Sequence, residues 1–206
     1  MKIATIVGAR PQFIKAATVS RCIDQQNNIS EVLIHTGQHY NTNMSNVFFA
    51  ELDIRKPDYH LGIGGGSHGE NTGRMIEAIE KVLLEESPNW AFVYGDTDST
   101  LGGTLAAVKL HIPVAHVEAG LRSFNRSMPE EINRVLTDHA ADRLFVPTQN
   151  AVKNLESEGI SSDKIKLVGD VMYDATLYYQ TKAYQPAALK LQSDNTPFVL
   201  CTIHRA

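Results

Sequence analysis

Three carboxylates in the middle of the chain have neighbours in the sequence that suit acid–base residues. Asp96 precedes a run of small hydroxyl residues, Glu118 closes an apolar run, and Glu130 follows a proline. An enzyme that removes and returns a proton needs such groups in one place, so the trio predicts an acid–base site. An acid directly after proline is also ordinary at a helix start, and Glu130 and Glu131 alone leave both interpretations open.

Two cations near the start of the chain are placed to bind an anion. Arg10 and Lys15 flank the start of the first predicted helix, and Pro11 suits its first position because proline lacks the N–H that is unpaired there. A helix N-terminus offers free N–H groups and a partial positive charge, which attract phosphate. The same residues also fit a helix start with two solvated cations. The segment lacks the Gly-Lys-Ser/Thr ending of a Walker loop.

Two further patterns carry less weight. Residues 64–69 match Gly-x-Gly-x-x-Gly, but they lie in the third strand–helix unit and no acid follows at a strand end about twenty residues on. We therefore interpret them as a mobile glycine-rich loop that borders the site, rather than as a dinucleotide fingerprint. His35 and His39 flank a predicted loop without the spacing of metal ligands, so we predict no metal site.

The elements that position these residues alternate along the chain. The predicted strands are residues 2–8, 31–36, 58–61, 90–94, 114–117, 143–146, 165–168 and 198–202. The predicted helices are residues 12–26, 44–51, 71–86, 101–110, 130–140, 149–158 and 171–183. Continuously apolar strands are covered on both faces, so the pattern predicts an α/β fold with a doubly wound, Rossmann-like parallel sheet. Ligands bind beyond the carboxyl ends of the strands in such sheets, which is where the charged residues lie.

A polar, proline-containing stretch at residues 184–197 interrupts this alternation. The strand predicted after it lacks the helix that should cover it, and a lone strand cannot bury two faces or pair its ladder. We therefore interpret residues 1–185 as one domain and residues 186–206 as a linker and the first strand of a second, truncated domain.

The composition argues against several functional classes. With 206 residues, 43% apolar and 20% charged, the chain reads as a soluble globular protein, and no apolar run reaches the about 18 residues of a membrane span. A net charge of −4 argues against a nucleic-acid partner, which needs a concentrated positive face. Cys22 and Cys201 have no disulfide or metal spacing, so we expect a cytoplasmic location.

Several short motifs occur in order along the chain. They are Gly8-Ala9-Arg10-Pro11-Gln12-Phe13-Ile14-Lys15, Thr36-Gly37-Gln38-His39, Gly95-Asp96-Thr97, His116-Val117-Glu118-Ala119-Gly120-Leu121-Arg122, Pro129-Glu130-Glu131-Ile132-Asn133-Arg134 and His204-Arg205. In these motifs the chain resembles the non-hydrolysing UDP-N-acetylglucosamine 2-epimerases. The resemblance implies a two-domain GT-B fold with the active site between the domains, of which this chain is the N-terminal half. It also implies an isomerase that interconverts UDP-GlcNAc and UDP-ManNAc, by elimination and re-addition of UDP, for polysaccharide biosynthesis.

The resemblance implies roles for individual residues, carried over by motif. The implied catalytic residues are Asp96, Glu118, Glu130 and His204. The implied substrate-binding residues are Arg10, Lys15, Gln38, His39 and Arg122. No metal or other cofactor is implied, the partner is a UDP-sugar, and the full-length enzyme is expected to be a homodimer. Residues 1–206 alone are expected to be inactive, because most nucleotide contacts of the family lie in the second domain.

Two segments depart from the best-known branch of that family. Residues 40–45 replace the Arg-x-Met-Leu-Asp-Gln segment with which that branch binds an activating UDP-sugar, so activation is not implied here. Residues 123–128, together with residues 12–15 and 65–69, are instead similar to epimerases that act on UDP-2,3-diacetamido-glucuronate, where Arg126 could meet the sugar carboxylate. That substrate is one alternative function, and a GT-B glycosyltransferase is another.

Overall fold

The computed structural model describes residues 1–38 and 55–183, together with residues 199 and 201. Strands and helices alternate through the two long ranges. The strands are β1 (Lys2–Val7), β2 (Ser30–His35), β3 (Tyr59–His60), β4 (Trp90–Tyr94), β5 (Val114–Val117), β6 (Arg143–Val146) and β7 (Ile165–Leu167). The helices are α1 (Arg10–Asp24), α2 (His68–Glu86), α3 (Asp98–Lys109), α4 (Pro129–Ala140), α5 (Gln149–Ser157) and α6 (Val171–Gln180).

The strands form one parallel sheet in the order β3-β2-β1-β4-β5-β6-β7. The chain therefore builds outward from β1 to β3 and then returns to the other side of β1 with β4. A crevice opens beyond the carboxyl ends of the strands at such a reversal of strand order. The loops that leave β1 and β4 are thus the natural borders of a ligand site.

Helices cover both faces of the sheet, so the predicted doubly wound fold is confirmed. On one face, Met75 and Ile79 of α2 pack against apolar residues of the strands, including Ile6. On the other face, Phe13 of α1 packs among Val7, Leu33, Tyr94 and Val117 of the sheet. Fully burying a large apolar side chain stabilises a fold by roughly 1.5–3 kcal/mol, and the two layers together hold the strand ends in place.

The element bounds differ from the sequence expectation mainly at helix starts. Helix α2 begins at His68, inside the glycine-rich segment, because the Ser67 side chain accepts the N–H of Glu70 and caps the helix. The helix expected at residues 44–51 lies outside the described residues, as does most of the strand expected at residues 198–202. The boundary between residues 1–185 and 186–206 therefore stays a prediction. Among the helices of the described ranges, none combines the length and the apolar character needed to cross a membrane.

Candidate functional site

The loop between β1 and α1 is fastened to the end of β4 by one buried side chain. Gln12 is 1% exposed, and its Oε1 accepts the backbone N–H groups of Gly8 at 2.8 Å and Ala9 at 2.9 Å. Its Nε2 donates to the carbonyl of Tyr94 at 2.8 Å and to Thr100 Oγ1 at 3.0 Å. These four hydrogen bonds of Gln12 cross the point where the strand order reverses. They therefore fix the N-terminus of α1 relative to β4 and α3.

Lys15 and Glu118, the expected cation and one of the expected acids, are partners in an ion pair. Their side chains are 10% and 17% exposed, so the pair is largely shielded from water. A Cβ built on Gly95 would lie 3.2 Å from Lys15 Nζ and 3.4 Å from Glu118 Oε2, which places the pair against the loop after β4. Glu118 has a φ of 71°, a left-handed conformation that costs a non-glycine residue on the order of 1 kcal/mol or more.

Asp96 forms an ion pair with Arg134 of α4. Arg134 also donates to Glu131 at 3.0 Å, and Asn133 donates to the Asp96 carbonyl at 2.9 Å. The first turns of α4 therefore hold both the side chain and the backbone of Asp96. Both Asn133 and Arg134 belong to the motif that begins at Pro129, yet sequence reasoning assigned neither of them to the site.

Asp96 and Glu130 line one cavity of about 170 Å³. The remaining lining residues come from the loop before α1, from the end of the β2 loop and from the starts of α2, α3 and α4: Ala9, Pro11, Gln38, His68, Thr97, Asp98, Pro129 and Asn133. Glu130 is exposed, and its carboxylate has no hydrogen bond or ion pair to another described residue. Glu118 instead lines a separate cavity of about 280 Å³, next to residues of α1 and α6. The structure thus brings Asp96 and Glu130 together at one cavity and places Glu118 at another.

Gln38 and Arg10, two further expected site residues, lie at the same edge of the sheet. Gln38 lines the cavity of Asp96, and its Oε1 accepts from Ser99 Oγ at 2.6 Å and Ser99 N at 3.2 Å. Arg10 is exposed at the first position of α1, at the same edge of the sheet. His39 and His204, which are also expected site residues, lie outside the described residues.

Arg122 lies behind the site. Its side chain is 1% exposed, and its guanidinium donates to both carboxylate oxygens of Glu158 at 2.7 Å and to Asp138 at 2.7 Å. These bonds join the loop after β5 to the ends of α4 and α5. They give Arg122 a structural role, and we leave it out of the proposed substrate contacts.

A buried histidine–aspartate pair, which sequence reasoning missed, supports the loop of Asp96. His116 Nε2 is 2.7 Å from the carbonyl of Gly95, and Nδ1 is 2.7 Å from Asp138 Oδ1. The other oxygen of Asp138 accepts from Gly120 N at 3.1 Å and from Arg122. Burial alone raises the pKa of Asp138, but the charges and hydrogen bonds of His116 and Arg122 outweigh it and lower the pKa. Because a carbonyl only accepts, Nε2 donates to Gly95, while Nδ1 faces the Asp138 carboxylate.

Glu131, in the first turn of α4, binds the start of the loop formed by residues 123–128. Its carboxylate accepts from Ser123 N at 2.9 Å, Phe124 N at 3.0 Å and Arg134 at 3.0 Å. Burial alone raises the pKa of Glu131, but these donors together lower it to about 2. From the sequence alone, the role of Glu131 at the helix start stayed open; in the structure its side chain lies in the first turn of α4 and also anchors this loop.

The lowered pKa of Glu131 predicts a pH-dependent loss of stability. The ionised carboxylate contributes on the order of 2–3 kcal/mol above about pH 5, and this contribution is lost as the pH falls through about 2. We expect Glu131→Gln to lower the free energy of unfolding by that amount at pH 7, and by progressively less as the pH approaches 3. Urea unfolding of both proteins at several pH values measures the difference. An equal difference at every pH would contradict the assignment.

Comparison with known proteins agrees with this arrangement. The family model described as UDP-N-acetylglucosamine 2-epimerase matches residues 21–206. The UDP-2,3-diacetamido-2,3-dideoxy-D-glucuronate 2-epimerase of Pseudomonas aeruginosa is 56% identical over 208 aligned positions, which cover 100% of this chain and 58% of the relative. The UDP-N-acetylglucosamine 2-epimerase of Methanococcus maripaludis is 49% identical over 209 positions, which cover 100% of this chain and 56% of the relative.

A solved structure shows the same fold. The crystal structure of Methanocaldococcus jannaschii UDP-GlcNAc 2-epimerase in complex with UDP-GlcNAc and UDP superposes with a TM-score of 0.88 and 52% identity, over 91% of this chain and 52% of that chain. The chain thus spans a little over half the length of the curated relatives it matches. These shares agree with the expectation that it forms one half of a two-domain GT-B fold. The chain belongs to the UDP-N-acetylglucosamine 2-epimerase family.

Proposed function

We propose that the full-length protein containing this chain is a non-hydrolysing UDP-GlcNAc 2-epimerase that interconverts UDP-GlcNAc and UDP-ManNAc. The observation that carries the proposal is the cavity at the reversal of strand order, which two acids, Asp96 and Glu130, line together. The Lys15–Glu118 ion pair lies beside the same β4 loop. The relative from Methanococcus maripaludis and the matched structure from Methanocaldococcus jannaschii carry the name of this activity.

The proposed reaction needs both positive charge and acid–base groups at this edge of the sheet. The hydrogen on carbon 2 of the sugar is barely acidic, so elimination depends on strong stabilisation of the departing UDP. Arg10, Lys15 and the N-terminus of α1 supply positive charge for the phosphates. Positioned acids and bases on two faces of the sugar then give the inversion, and each contributes about 10²–10⁴-fold. The proposed catalytic residues are Asp96, Glu118, Glu130 and His204, with Arg10, Lys15, Gln38 and His39 as substrate contacts.

The proposal also covers the location, the oligomeric state and the cofactors of the enzyme. We expect a cytoplasmic homodimer that needs no metal or other cofactor and binds neither nucleic acid nor membrane. We also expect little or no turnover from residues 1–206 alone, because the chain spans 58% of the first relative. A GT-B glycosyltransferase stays the less favoured alternative, since sugar transfer needs no set of acids for proton transfer on two faces. Transfer to an added acceptor without epimerisation would favour it.

A second candidate substrate is UDP-2,3-diacetamido-glucuronate. The Pseudomonas aeruginosa relative, at 56% identity, carries the name of that activity. Arg126 is exposed in the loop that Glu131 anchors, and it has no hydrogen bond or ion pair within the described ranges. An exposed guanidinium in the loop that precedes Pro129 and Glu130 suits a substrate that carries a sugar carboxylate. Side-by-side assays of the full-length protein on the two UDP-sugars decide between the candidates.

Arg126 gives a specific prediction for the second candidate. A charge-assisted hydrogen bond is worth about 1.5–3 kcal/mol, so its loss raises KM by roughly 10- to 100-fold. We expect Arg126→Gln to do this for UDP-2,3-diacetamido-glucuronate and to leave the kinetics on UDP-GlcNAc unchanged. Arg143→Gln, whose guanidinium donates to the Asp163 carbonyl at the far edge of the sheet, is the control. Equal effects of Arg126→Gln on both substrates would remove the carboxylate contact.

A further inference from the structure

A histidine that the proposed chemistry does not yet use lies at the cavity of Asp96 and Glu130. His68 is the first residue of α2, its side chain is 69% exposed, and it lines the same 170 Å³ space. Its Nδ1 is 2.9 Å and 3.2 Å from the two carboxylate oxygens of Asp98. Asp98 is 4% exposed and also accepts from Asn133 Nδ2 at 3.3 Å. The ring is therefore held from behind by a buried acid.

Asp98 determines which nitrogen of His68 carries the proton. An ionised carboxylate only accepts hydrogen bonds, so Nδ1 donates, and the lone pair of the neutral ring lies on Nε2. Nε2 has no partner within residues 1–38 and 55–183. A carboxylate that orients an imidazole and stabilises its cation is the arrangement of a general base.

The other carboxylates at this edge are paired with cations. Asp96 is paired with Arg134, and Glu118 is paired with Lys15. Across the described parts of the cavity, the acid or base groups without a hydrogen-bond or ion-pair partner are the Glu130 carboxylate and the Nε2 atom of His68.

We propose that His68, oriented by Asp98, is a catalytic residue that exchanges a proton with carbon 2 of the bound sugar; the proposal rests on the proposed 2-epimerase function. In elimination, the bond from carbon 2 to hydrogen breaks, and the proton goes to Nε2. The electron pair forms the double bond between carbons 1 and 2, and the bond from carbon 1 to UDP breaks with its electrons on the phosphate oxygen. Re-addition reverses these steps, with the proton delivered to the other face.

The placement of the two unpaired groups suits an inversion. His68 is carried by α2 and Glu130 by α4, so they reach the cavity from different walls. Each can serve one face of the sugar, since the reaction must take a proton from one side and return it on the other.

The test compares three variants of the full-length protein. We expect His68→Gln to lower both kcat and the rate of deuterium incorporation at carbon 2 by about 10²- to 10³-fold, with KM within about threefold of the wild type. Asp98→Asn is expected to cause a smaller loss, about 10- to 100-fold, because it disturbs only the orientation of the ring. His111→Asn, an exposed histidine with a φ of 60° that asparagine accommodates, is expected to change nothing.

Two results would overturn the proposal. One is a His68→Gln protein with wild-type kcat and exchange rate, and the other is a change in KM alone, which would make His68 a binding contact. If the wild-type protein itself neither epimerises nor exchanges, the proposed function fails. In that case, ¹⁵N NMR of labelled histidines with added UDP-GlcNAc still tests the site. A shift of the His68 Nε2 signal, with none for His111, supports the contact, and no shift refutes it.

Discussion

Glu130→Gln in the full-length protein is expected to lower kcat by about 10²- to 10⁴-fold, with little change in KM. The substitution keeps the shape of the side chain and removes only its ability to exchange a proton. Glu130 is exposed, and its carboxylate has no hydrogen bond or ion pair to another described residue, so the fold has little reason to depend on its charge. Steady-state kinetics with UDP-GlcNAc, in both directions, measure the effect.

The matched control for this experiment is Glu156→Gln. Glu156 is an exposed glutamate of α5, which contributes no lining residue to the cavity of Asp96 and Glu130. It should leave kcat unchanged. A Glu130→Gln protein that retains activity within about threefold of the wild type would show that the carboxylate does not handle the proton.

Asp138→Ala is expected to lower the free energy of unfolding by about 3–5 kcal/mol, the cost of breaking a buried ion pair from one side. Asp138 is 1% exposed and is the shared partner of His116 and Arg122. Its removal leaves a buried imidazole and a buried guanidinium without that partner, and the Gly120 N–H without its acceptor. Urea unfolding at pH 7 measures the loss.

Asp24→Ala is the control for that measurement. Asp24 is an exposed aspartate at the end of α1 whose carboxylate has no hydrogen bond or ion pair to another described residue, and surface substitutions of this kind change stability by within about 0.5 kcal/mol. Activity adds a second readout, since His116 binds the carbonyl of Gly95, next to Asp96. An unfolding midpoint of Asp138→Ala equal to that of the wild type would contradict the role of the buried network.

Much of the fold follows from the sequence because its signals are local. Continuous apolar runs predict strands covered on both faces, and polar groups at their ends predict a site beyond the carboxyl edge. The pairing of side chains is not local. Lys15 and Glu118 are 103 residues apart in the chain, and nothing in either motif shows that the expected cation forms an ion pair with one of the expected acids.

The same limit explains what sequence reasoning missed or misplaced at the site. Arg122 shares a motif with Glu118, but its guanidinium binds Glu158, which lies 36 residues further along the chain, and Arg122 does not line the cavity of Asp96. His68 belongs to a glycine-rich segment whose pattern pointed to loop conformation. Its partner Asp98 is 30 residues away, at the start of another helix. Ion pairs between elements depend on the packing of α2, α3, α4 and α5 on the sheet, which periodicity does not encode.

The most direct test of the proposed function is proton exchange during turnover. The full-length protein is incubated with UDP-GlcNAc in deuterated water, and carbon 2 of both epimers is followed by NMR. Elimination and re-addition through acids at this cavity predict that deuterium replaces the hydrogen on carbon 2 in UDP-GlcNAc and UDP-ManNAc as equilibrium is reached. Interconversion of the two sugars with the original hydrogen retained would contradict it.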